Sequence, residues 1–292
     1  MEIMPGKTIV GFIGLGVMGH SMAGLLLDAG FDLHLYNRSA SKADDLVKKG
    51  AVLEATVADL AKKSDVMIAI VGFPADVEEV FLGKAGVLEN ARSGSIAIDM
   101  TTSEPDLAVT LYDRGKQRGI HVLDAPVSGG DLGAKNATLS IMVGGDHTTF
   151  EAARPIFEIM GKNIVYQGGA GAGQHTKMAN QIAIAAGMVA VCESLAYAQR
   201  AGLDPERVLE SIGQGAAGSW SLNNMGPRII KQDDQPGFFI KHFIKDMGIA
   251  TASSKRMGLA TPGLDLALAL YRKMADRGLE NNGTQALFKL FQ

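Results

Sequence analysis

The sequence predicts an α/β domain with a parallel sheet, followed by an all-α domain that a long interdomain helix joins to it. Short β-rich apolar runs alternate with helical patterns of mixed polarity from residue 7 to about residue 167. Such alternation is typical of a parallel sheet with helices on both faces. Beyond residue 168 the β-rich runs stop and long helical patterns follow. We therefore predict one domain over residues 1–167 and a second over residues 168–292.

Local patterns and helix-capping residues place the individual elements. Helices are predicted over residues 18–27, 39–49 and 76–80, and the long helix begins near Gly173. In the second domain, Asp204 is a predicted N-cap, because a helix-compatible proline follows it. The predicted strands cover residues 8–13, 32–36, 66–71, 95–99, 121–124 and 139–143.

The composition excludes several classes of protein. Hydrophobic residues make up 47% of the 292 residues, which is enough to bury a core and unlike disordered chains. With 28 basic and 31 acidic side chains, the net charge of -3 gives no general footprint for nucleic acid or an anionic membrane. The single cysteine, Cys192, excludes an intrachain disulfide. The six histidines show no ligand spacing, so we expect no metal site.

The chain shows no signal for export or membrane insertion. Residues 1–7 lack the basic head, apolar run and cleavage site of a signal peptide. The longest apolar run, residues 182–192, is far shorter than the ~20 residues that cross a bilayer. We interpret this run as a buried helix, and we expect a cytoplasmic protein without a membrane partner.

A glycine-rich turn with the spacing G-x-G-x-x-G follows the first predicted strand. Gly14 would permit the tight turn, Gly16 the approach of a pyrophosphate, and Gly19 close packing of helix on strand. The phosphates would lie at the positive end of the helix dipole. Since the flanking strand and helix agree with the motif, we predict a Rossmann-type dinucleotide-binding domain. The predicted coenzyme-binding loop consists of Gly14, Leu15, Gly16, Val17, Met18 and Gly19.

The end of the second predicted strand indicates which coenzyme is used. An acidic residue there would bind the adenosine 2′-hydroxyl and repel a 2′-phosphate, but this chain has Asn37-Arg38-Ser39. The guanidinium of Arg38 is a planar donor for phosphate, and Asn37 and Ser39 add neutral donors. We therefore predict that NADP is preferred over NAD. The alternative is that Arg38 is a solvated turn residue.

Lys177 is the candidate catalytic residue on chemical grounds. If the segment is helical, Lys177 and Asn180 project from the same face, because they are three residues apart. The helix is apolar around most of its circumference, as expected of a helix buried between layers. Burial of an ammonium group is costly, and desolvation lowers a lysine pKa towards that of a general acid/base. The pattern alone leaves open a snorkelling lysine.

Several ordered motifs resemble the β-hydroxyacid dehydrogenase family, which includes 3-hydroxyisobutyrate dehydrogenase and tartronate semialdehyde reductase. The glycine loop is similar to the family signature, and residues 124–130 (DAPVSGG) are similar to its substrate-binding segment. Residues 168–180 follow its catalytic pattern G-x-x-G-x-G-x-x-x-K-x-x-N, and Lys245-Asp246 resembles its late Lys-Asp motif. One departure is Ala137, where many members carry glycine. The resemblance covers nearly the whole chain.

The resemblance implies hydride transfer between a nicotinamide coenzyme and a small β-hydroxy acid or its semialdehyde. Lys177 would be the general acid/base, and Asn180 would orient the reacting oxygen, so both would contact the substrate. Lys245 would contact the coenzyme and Asp246 would support the substrate site. The alternative for this last pair is a solvated ion pair.

The other predicted site residues follow strands, where sheets of this type bind ligands. Ser128 offers a hydroxyl, and Gly129 and Gly130 offer backbone N–H groups, which together suit a substrate carboxylate. The residues expected beside the nicotinamide half of the coenzyme are Phe73, Pro74, Thr101 and Thr102.

Alternative functions of other classes are an imine reductase and a non-catalytic NADP-binding module. The lysine argues against both, because such proteins usually lack it. The motifs do not distinguish among small hydroxy acids, since one methylene changes binding by only ~1–3 kcal/mol. The apolar helical domain predicts a homodimer or homotetramer, and no nucleic-acid partner is expected.

Overall fold

The computed structural model describes residues 2–292 and contains two compact units. The boundary falls between Lys177 and Met178, inside the long helix, whereas the sequence placed it between residues 167 and 168. The first unit is α/β and the second is helical. The predicted fold class, a Rossmann-type α/β domain followed by an all-α domain, is confirmed.

The first unit is built on a nine-stranded sheet. Its strands are β1 (Ile9–Ile13), β2 (Asp32–Tyr36), β3 (Val52–Leu53), β4 (Val66–Ala69), β5 (Ile96–Asp99), β6 (His121–Asp124), β7 (Val127–Ser128), β8 (Leu139–Gly145) and β9 (Gly161–Gly168). Its helices are α1 (Gly19–Asp28), α2 (Asp44–Lys48), α3 (Val57–Lys63), α4 (Pro74–Leu82), α5 (Val87–Asn90), α6 (Pro105–Gln117), α7 (Gly130–Lys135) and α8 (His147–Met160), with a 3-10 helix at Ala40–Ala43.

The strand order is β3-β2-β1-β4-β5-β6-β8-β7, and β9 pairs with β8. Because β1 lies between β2 and β4, the direction of winding reverses beside it, and ligands bind at the carboxyl ends of strands around such a switch point. Strand β8 runs antiparallel to β6 and β7, so the sheet is mostly rather than wholly parallel. The sequence could not show this, because an apolar run identifies a strand but not its direction.

The predicted strands all form, with ends that differ by a few residues at most. The segments 32–36 and 121–124 match β2 and β6. The sequence analysis missed three strands for identifiable reasons. Strands β3 and β7 have only two residues each, and β9 has a largely exposed or half-exposed pattern without an apolar run.

Both faces of the central sheet are covered, as the near-continuous apolar strands predict. Strand β4 illustrates this. Val66 and Ile68 belong to one buried apolar cluster, and Met67 and Ala69 belong to another. Because neighbouring residues of a strand point to opposite faces, these two clusters form the two sides of the α/β core.

The second unit is helical, as predicted. Asp204 is the N-cap of its second helix, and its side chain accepts a hydrogen bond from the backbone N–H of Glu206. The helices are the greater part of α9 (Ala172–Arg200), then α10 (Pro205–Gly213), α11 (Trp220–Ile230), α12 (Ile240–Arg256) and α13 (Pro262–Asp276), with a 3-10 helix at Thr284–Leu290.

Helix α9 is long and apolar. The most hydrophobic 18-residue window of this helix has a mean hydropathy of 1.5. By length and composition alone the helix could cross a membrane, but core helices of soluble proteins meet the same criteria. Met188, Cys192 and Leu195 lie in the helical core, but only 44% of the window is buried. The expectation that the helix is buried on most sides is therefore too broad. Its exposed alanines are Ala179, Ala183, Ala186 and Ala190.

Candidate active site

The glycine turn after β1 has the geometry that its spacing predicts. Gly14 has a φ of +98°, and a Cβ there would lie 2.2 Å from the Ile70 carbonyl oxygen. At Gly19, where α1 begins, a Cβ would lie 2.0 Å from the Gly14 carbonyl oxygen, so only glycine allows this packing. At Gly16 a Cβ would meet nothing within 4 Å. The middle glycine therefore borders open space of the kind that a pyrophosphate requires.

The other loop residues have different environments. Leu15 is buried and its backbone N–H donates to Asn37 Oδ1 at 2.9 Å, while the Val17 side chain is 49% exposed. Met18 is the N-cap residue of α1 and is half-buried. Asn37 Nδ2 donates to the carbonyl of Ser39 at 2.8 Å. Asn37 therefore holds the glycine loop against the end of β2. The sequence predicted only a contact of Asn37 with the coenzyme, and not this structural role.

Asp76 joins two loops that the sequence assigned separately to the coenzyme. Its Oδ1 lies 3.2 Å from an Arg38 guanidinium nitrogen, and its Oδ2 accepts a hydrogen bond from the Phe73 backbone N–H at 3.0 Å. Pro74 is the first residue of α4, so Asp76 lies in the first turn of that helix. The Arg38 side chain is 77% exposed and can be reached by an anion. Sequence reasoning missed Asp76, although an acidic residue two positions after a helix-starting proline is a recognisable capping signal.

The segment that follows β5 is held by buried hydrogen bonds. The Thr101 hydroxyl oxygen accepts from the Val71 backbone N–H at 3.0 Å, and the Thr101 backbone N–H donates to Asp99 Oδ1 at 2.9 Å. The side chain of Gln174 bonds to the backbone on both sides of Thr102. Thr101 is 2% exposed and Thr102 is half-buried. The Thr101 side chain therefore supports the loop, and Thr102 is the more accessible of the two predicted contacts.

The candidate substrate segment begins as a short strand and ends in two glycines with positive φ. Ser128 ends β7 and is half-buried, Gly129 has a φ of +132° and is the N-cap of α7, and Gly130 has a φ of +65°. This backbone is one that other residues rarely adopt. Ala137, where the family resemblance favours glycine, also has a positive φ, of 55°.

Lys177 is buried beside this segment. Its side chain Nζ donates to the Val127 carbonyl oxygen at 2.8 Å, and the residue is 6% exposed. The lysine is therefore not a snorkelling surface residue, which was the alternative from pattern alone. Because the Val127 carbonyl belongs to the peptide bond that leads into Ser128, the structure brings the predicted general acid/base to the predicted substrate segment.

The start of the helix that carries Lys177 is fixed by Asp124, the last residue of β6. Its two carboxylate oxygens accept the backbone N–H groups of Gly171 and Gln174, each at 2.8 Å. Asp124 is 4% exposed. Burial raises the pKa of Asp124, and the backbone hydrogen bonds from Gly171 and Gln174 partly oppose this rise. The position of Asp124, an acidic residue directly after an apolar run, was visible in the sequence, but its capping role was not.

The predicted residues of the helical unit form a separate polar chain. Lys245 Nζ lies 2.7 Å from Asp246 Oδ1, and Gln181 Nε2 donates to Asp246 Oδ2 at 2.6 Å. Asn180 Nδ2 donates to Gln181 Oε1 at 2.8 Å. A carboxylate can only accept, so Asp246 fixes which way both amides point. The ion pair is buried, with 12% and 2% exposed side chains, and so is not the solvated pair that was the alternative. Gln181 was missed by sequence reasoning.

The structure of residues 2–292 contains no group of three or more His, Cys, Asp and Glu side chains that could hold a metal ion. Cys192 is buried in the helical core, and burial raises the pKa of its thiol to about 12. This thiol is therefore protonated near neutral pH and is a packing group rather than a nucleophile.

Comparison with known proteins agrees with this geometry over both units. The family model for the NAD-binding domain of 6-phosphogluconate dehydrogenase matches residues 9–169. The model for NAD-binding of NADP-dependent 3-hydroxyisobutyrate dehydrogenase matches residues 171–291. The chain belongs to the β-hydroxyacid dehydrogenase family.

Relatives align with this family member along nearly its whole length. An uncharacterized oxidoreductase of Bacillus subtilis, YkwC, is 56% identical over 98% of this chain and 99% of its own. A probable 3-hydroxyisobutyrate dehydrogenase-like protein of Arabidopsis thaliana is 48% identical over 98% of this chain and 85% of its own. The 2-hydroxy-3-oxopropionate reductase of Escherichia coli is 40% identical over 92% of both chains. This chain is therefore an NAD(P)-dependent hydroxyacid dehydrogenase.

Solved structures show the same fold. The 3-hydroxyisobutyrate dehydrogenase of Mycobacterium tuberculosis, determined with L-serine, has a TM-score of 0.89 at 28% identity and covers 99% of this chain and 100% of its own. Psf3 in complex with NADP+ and 2-OPP has a TM-score of 0.90 at 25% identity, with 97% and 100% coverage. An imine reductase from Pseudomonas sp. has a TM-score of 0.65 at 20% identity, with 98% and 100% coverage, which shows the fold alone.

The glycine loop offers a matched pair of substitutions. Gly19→Ala should destabilise the protein by about 1–3 kcal/mol, because its methyl group would collide with backbone at Gly14. Gly16→Ala should leave stability unchanged, since no atom is near, but weaken coenzyme binding by about tenfold. Thermal unfolding and coenzyme titration of both variants measure these effects. Equal stability loss in the two variants would contradict the assigned roles.

Asp124→Asn should destabilise the protein by about 1–3 kcal/mol, because an amide has one acceptor oxygen for two buried N–H groups. The difference in unfolding free energy between the wild type and Asp124→Asn should narrow as pH rises from the ordinary aspartate pKa to the raised pKa of folded Asp124. In this range the unfolded wild type releases the Asp124 proton more readily than the folded protein does, so the wild type loses stability with rising pH and the variant does not. Denaturant unfolding across this pH range measures both effects. Asp113→Asn, at an exposed site, is the control. If Asp124→Asn were as stable as the wild type, the capping role of Asp124 at the start of α9 would be excluded.

Proposed function

We propose that this dehydrogenase interconverts a small β-hydroxy acid and its semialdehyde, with Lys177 as the general acid/base. The observation that carries the proposal is the buried Lys177 Nζ, which donates to the Val127 carbonyl beside Ser128. A buried ammonium group beside the half-buried residues 128–130 supplies a proton donor next to the proposed carboxylate-binding segment.

Ser128, Gly129 and Gly130 support the choice of substrate class. Gly129 precedes α7 and Gly130 begins it, and both have a positive φ. Because glycines have no side chain, a ligand can approach their backbone N–H groups closely. The positive charge of Lys177 adds to the attraction of this segment for a carboxylate. A β-hydroxy acid places its carboxylate and its reacting hydroxyl within one small molecule, so both groups can be held by this one segment.

The nicotinamide coenzyme, when bound, accepts or supplies the hydride. During oxidation, Lys177 as the neutral amine takes the hydroxyl proton while the carbon gives up its hydride. During reduction, Lys177 as the ammonium returns a proton to the carbonyl oxygen. The hydrogen bond to Val127 keeps Nζ on the substrate side of the helix in both directions. Proton transfer by a positioned group of this kind typically contributes about 10²–10⁴-fold in rate.

The helical unit contributes the residues that the family resemblance predicted. We propose that Asn180, one turn after Lys177 on α9, orients the reacting oxygen. Its amide is held by Gln181, whose own amide is held by Asp246. Lys245 neutralises Asp246 and is proposed to contact the coenzyme.

NADP is the proposed coenzyme. The support is local: Arg38 is exposed at the end of β2, no acidic residue occupies the ribose-reading position, and Asp76 holds the guanidinium. One NADP-bound structural neighbour is compatible with this choice. The imine-reductase alternative is supported only by a shared fold. The buried Lys177 is also an argument against a non-catalytic NADP-binding module.

Lys177→Met should reduce turnover by about 10²–10⁴-fold while coenzyme affinity stays close to that of the wild type, because the methionine fills the space but moves no proton. Turnover is measured by reduced-nicotinamide absorbance with a panel of short semialdehydes and β-hydroxy acids, and affinity by coenzyme titration. Lys135→Met, at an exposed position of α7, is the control. A kcat near the wild-type value in Lys177→Met would refute the role.

Arg38→Ala should lower kcat/KM with NADP by about ten- to hundredfold and leave kcat/KM with NAD nearly unchanged, because one charge-assisted phosphate contact is lost. Arg92→Ala is the matched control, since Arg92 is also an exposed, ion-paired arginine but precedes a strand instead of following one. An unchanged ratio of the two coenzymes in Arg38→Ala would show that this residue does not read the 2′-phosphate.

A further inference from the structure

Gln174 lies one turn before Lys177 on α9 and is completely buried. Its side-chain Oε1 accepts the backbone N–H of Ser103 at 2.9 Å, and its Nε2 donates to the backbone carbonyl of Thr101 at 2.7 Å. Its own backbone N–H donates to Asp124. One residue therefore connects the start of α9 to the segment after β5 and to the last residue of β6.

The two side-chain bonds have a specific geometry. They engage the carbonyl before Thr102 and the N–H after it, which are the two groups that a neighbouring parallel strand would engage. The amide of Gln174 thus takes the place of the backbone N–H and C=O of one residue of such a strand. It holds Thr102 from both sides and continues the order of β5 beyond its last residue, Asp99.

Gln174 and Lys177 lie on the same face of α9, because they are three residues apart. The first is bonded to the segment after β5, and the second to the Val127 carbonyl in β7. A rotation or slide of the helix would have to break one of these buried bonds. The Gln174 amide therefore ties the part of α9 that carries Lys177 to the segment that contains Thr102.

We propose that Gln174 is a positioning residue for the reaction: its side-chain amide fixes Lys177 relative to Thr102, the predicted neighbour of the nicotinamide. This inference rests on the proposed role of Lys177 as the general acid/base. Gln174 itself touches neither reacting group. Proton and hydride transfer occur in one step only if both groups are aligned, and a misplacement of ~1 Å can cost about 10²-fold in rate.

Substitutions at Gln174 separate positioning from simple packing. Gln174→Met keeps the length and volume but removes both bonds, so kcat should fall about 10–100-fold while the KM for the coenzyme changes much less. In the coenzyme-free protein, the Ser103 amide should exchange its hydrogen about tenfold faster or more, since its acceptor is gone. Gln285→Met is the control, because Gln285 is also a buried glutamine that donates to two backbone carbonyls, those of Asp233 and Gln235.

Gln174→Glu adds a pH test that a packing role would not affect. A protonated carboxyl can donate to Thr101 and accept from Ser103, as the amide does, whereas the ionised form can only accept. The kcat of Gln174→Glu relative to the wild type should therefore rise as pH falls. The corresponding ratio for Gln174→Met should not change with pH.

The proposal is contradicted if Gln174→Met keeps kcat within about twofold of the wild type, or if the Gln174→Glu ratio is independent of pH. Lys177→Met, measured in parallel, keeps the two hypotheses apart. Normal turnover in Lys177→Met overturns the proposed function. An inactive Lys177→Met together with a fully active Gln174→Met overturns only the positioning role.

Discussion

The burial of the Lys177 ammonium group is the constraint on which the rest of the site depends. A charged amine that is 6% exposed is costly unless it is hydrogen-bonded, and the Val127 carbonyl satisfies part of that requirement. Asp124 accepts backbone N–H groups of Gly171 and Gln174 and so holds the start of α9 at the end of β6. The amide of Gln174 joins the same turn to the segment after β5, which is the basis of its proposed positioning role.

The α/β unit brings these groups together through its topology. The glycine turn, the Phe73 loop and the Thr101–Ser103 segment follow the carboxyl ends of the parallel strands β1, β4 and β5. Asp124 is the last residue of the next parallel strand, β6. In such a sheet these ends share one edge, so residues far apart in sequence can serve one ligand. Strand β7, which pairs with the reversed strand β8, adds Val127 and Ser128 shortly after Asp124 in the chain. Strand order, rather than any local motif, therefore makes the lysine and the coenzyme-binding turn parts of one unit.

The sequence predicted what depends on local chemistry. The glycine turn, the strands with continuous apolar runs and the Asp204 cap all follow from nearby residues. The local pattern left a snorkelling Lys177 open, and only the structure shows that this residue is buried. The roles of Asp124 and Gln174 depend on partners about 50 to 70 residues away, and no spacing rule reveals such pairs. The direction of β8 and the exposed side of α9 are also decided by tertiary contacts. Strand β9 was missed because half-exposed edge strands lack an apolar run.

The most direct test of the central claim is the pH dependence of kcat/KM in both directions. Deuterium at the transferred hydrogen, on the hydroxy acid for oxidation and on the reduced coenzyme for reduction, confirms that hydride transfer limits the rate. If Lys177 moves the proton, oxidation requires the amine and reduction requires the ammonium form. Oxidation should therefore accelerate as pH rises through the lysine pKa of the complex with oxidised coenzyme. Reduction should slow as pH rises through the lysine pKa of the complex with reduced coenzyme. An oxidation rate that is independent of pH while deuteration still slows it would show that this buried amine is not the proton acceptor.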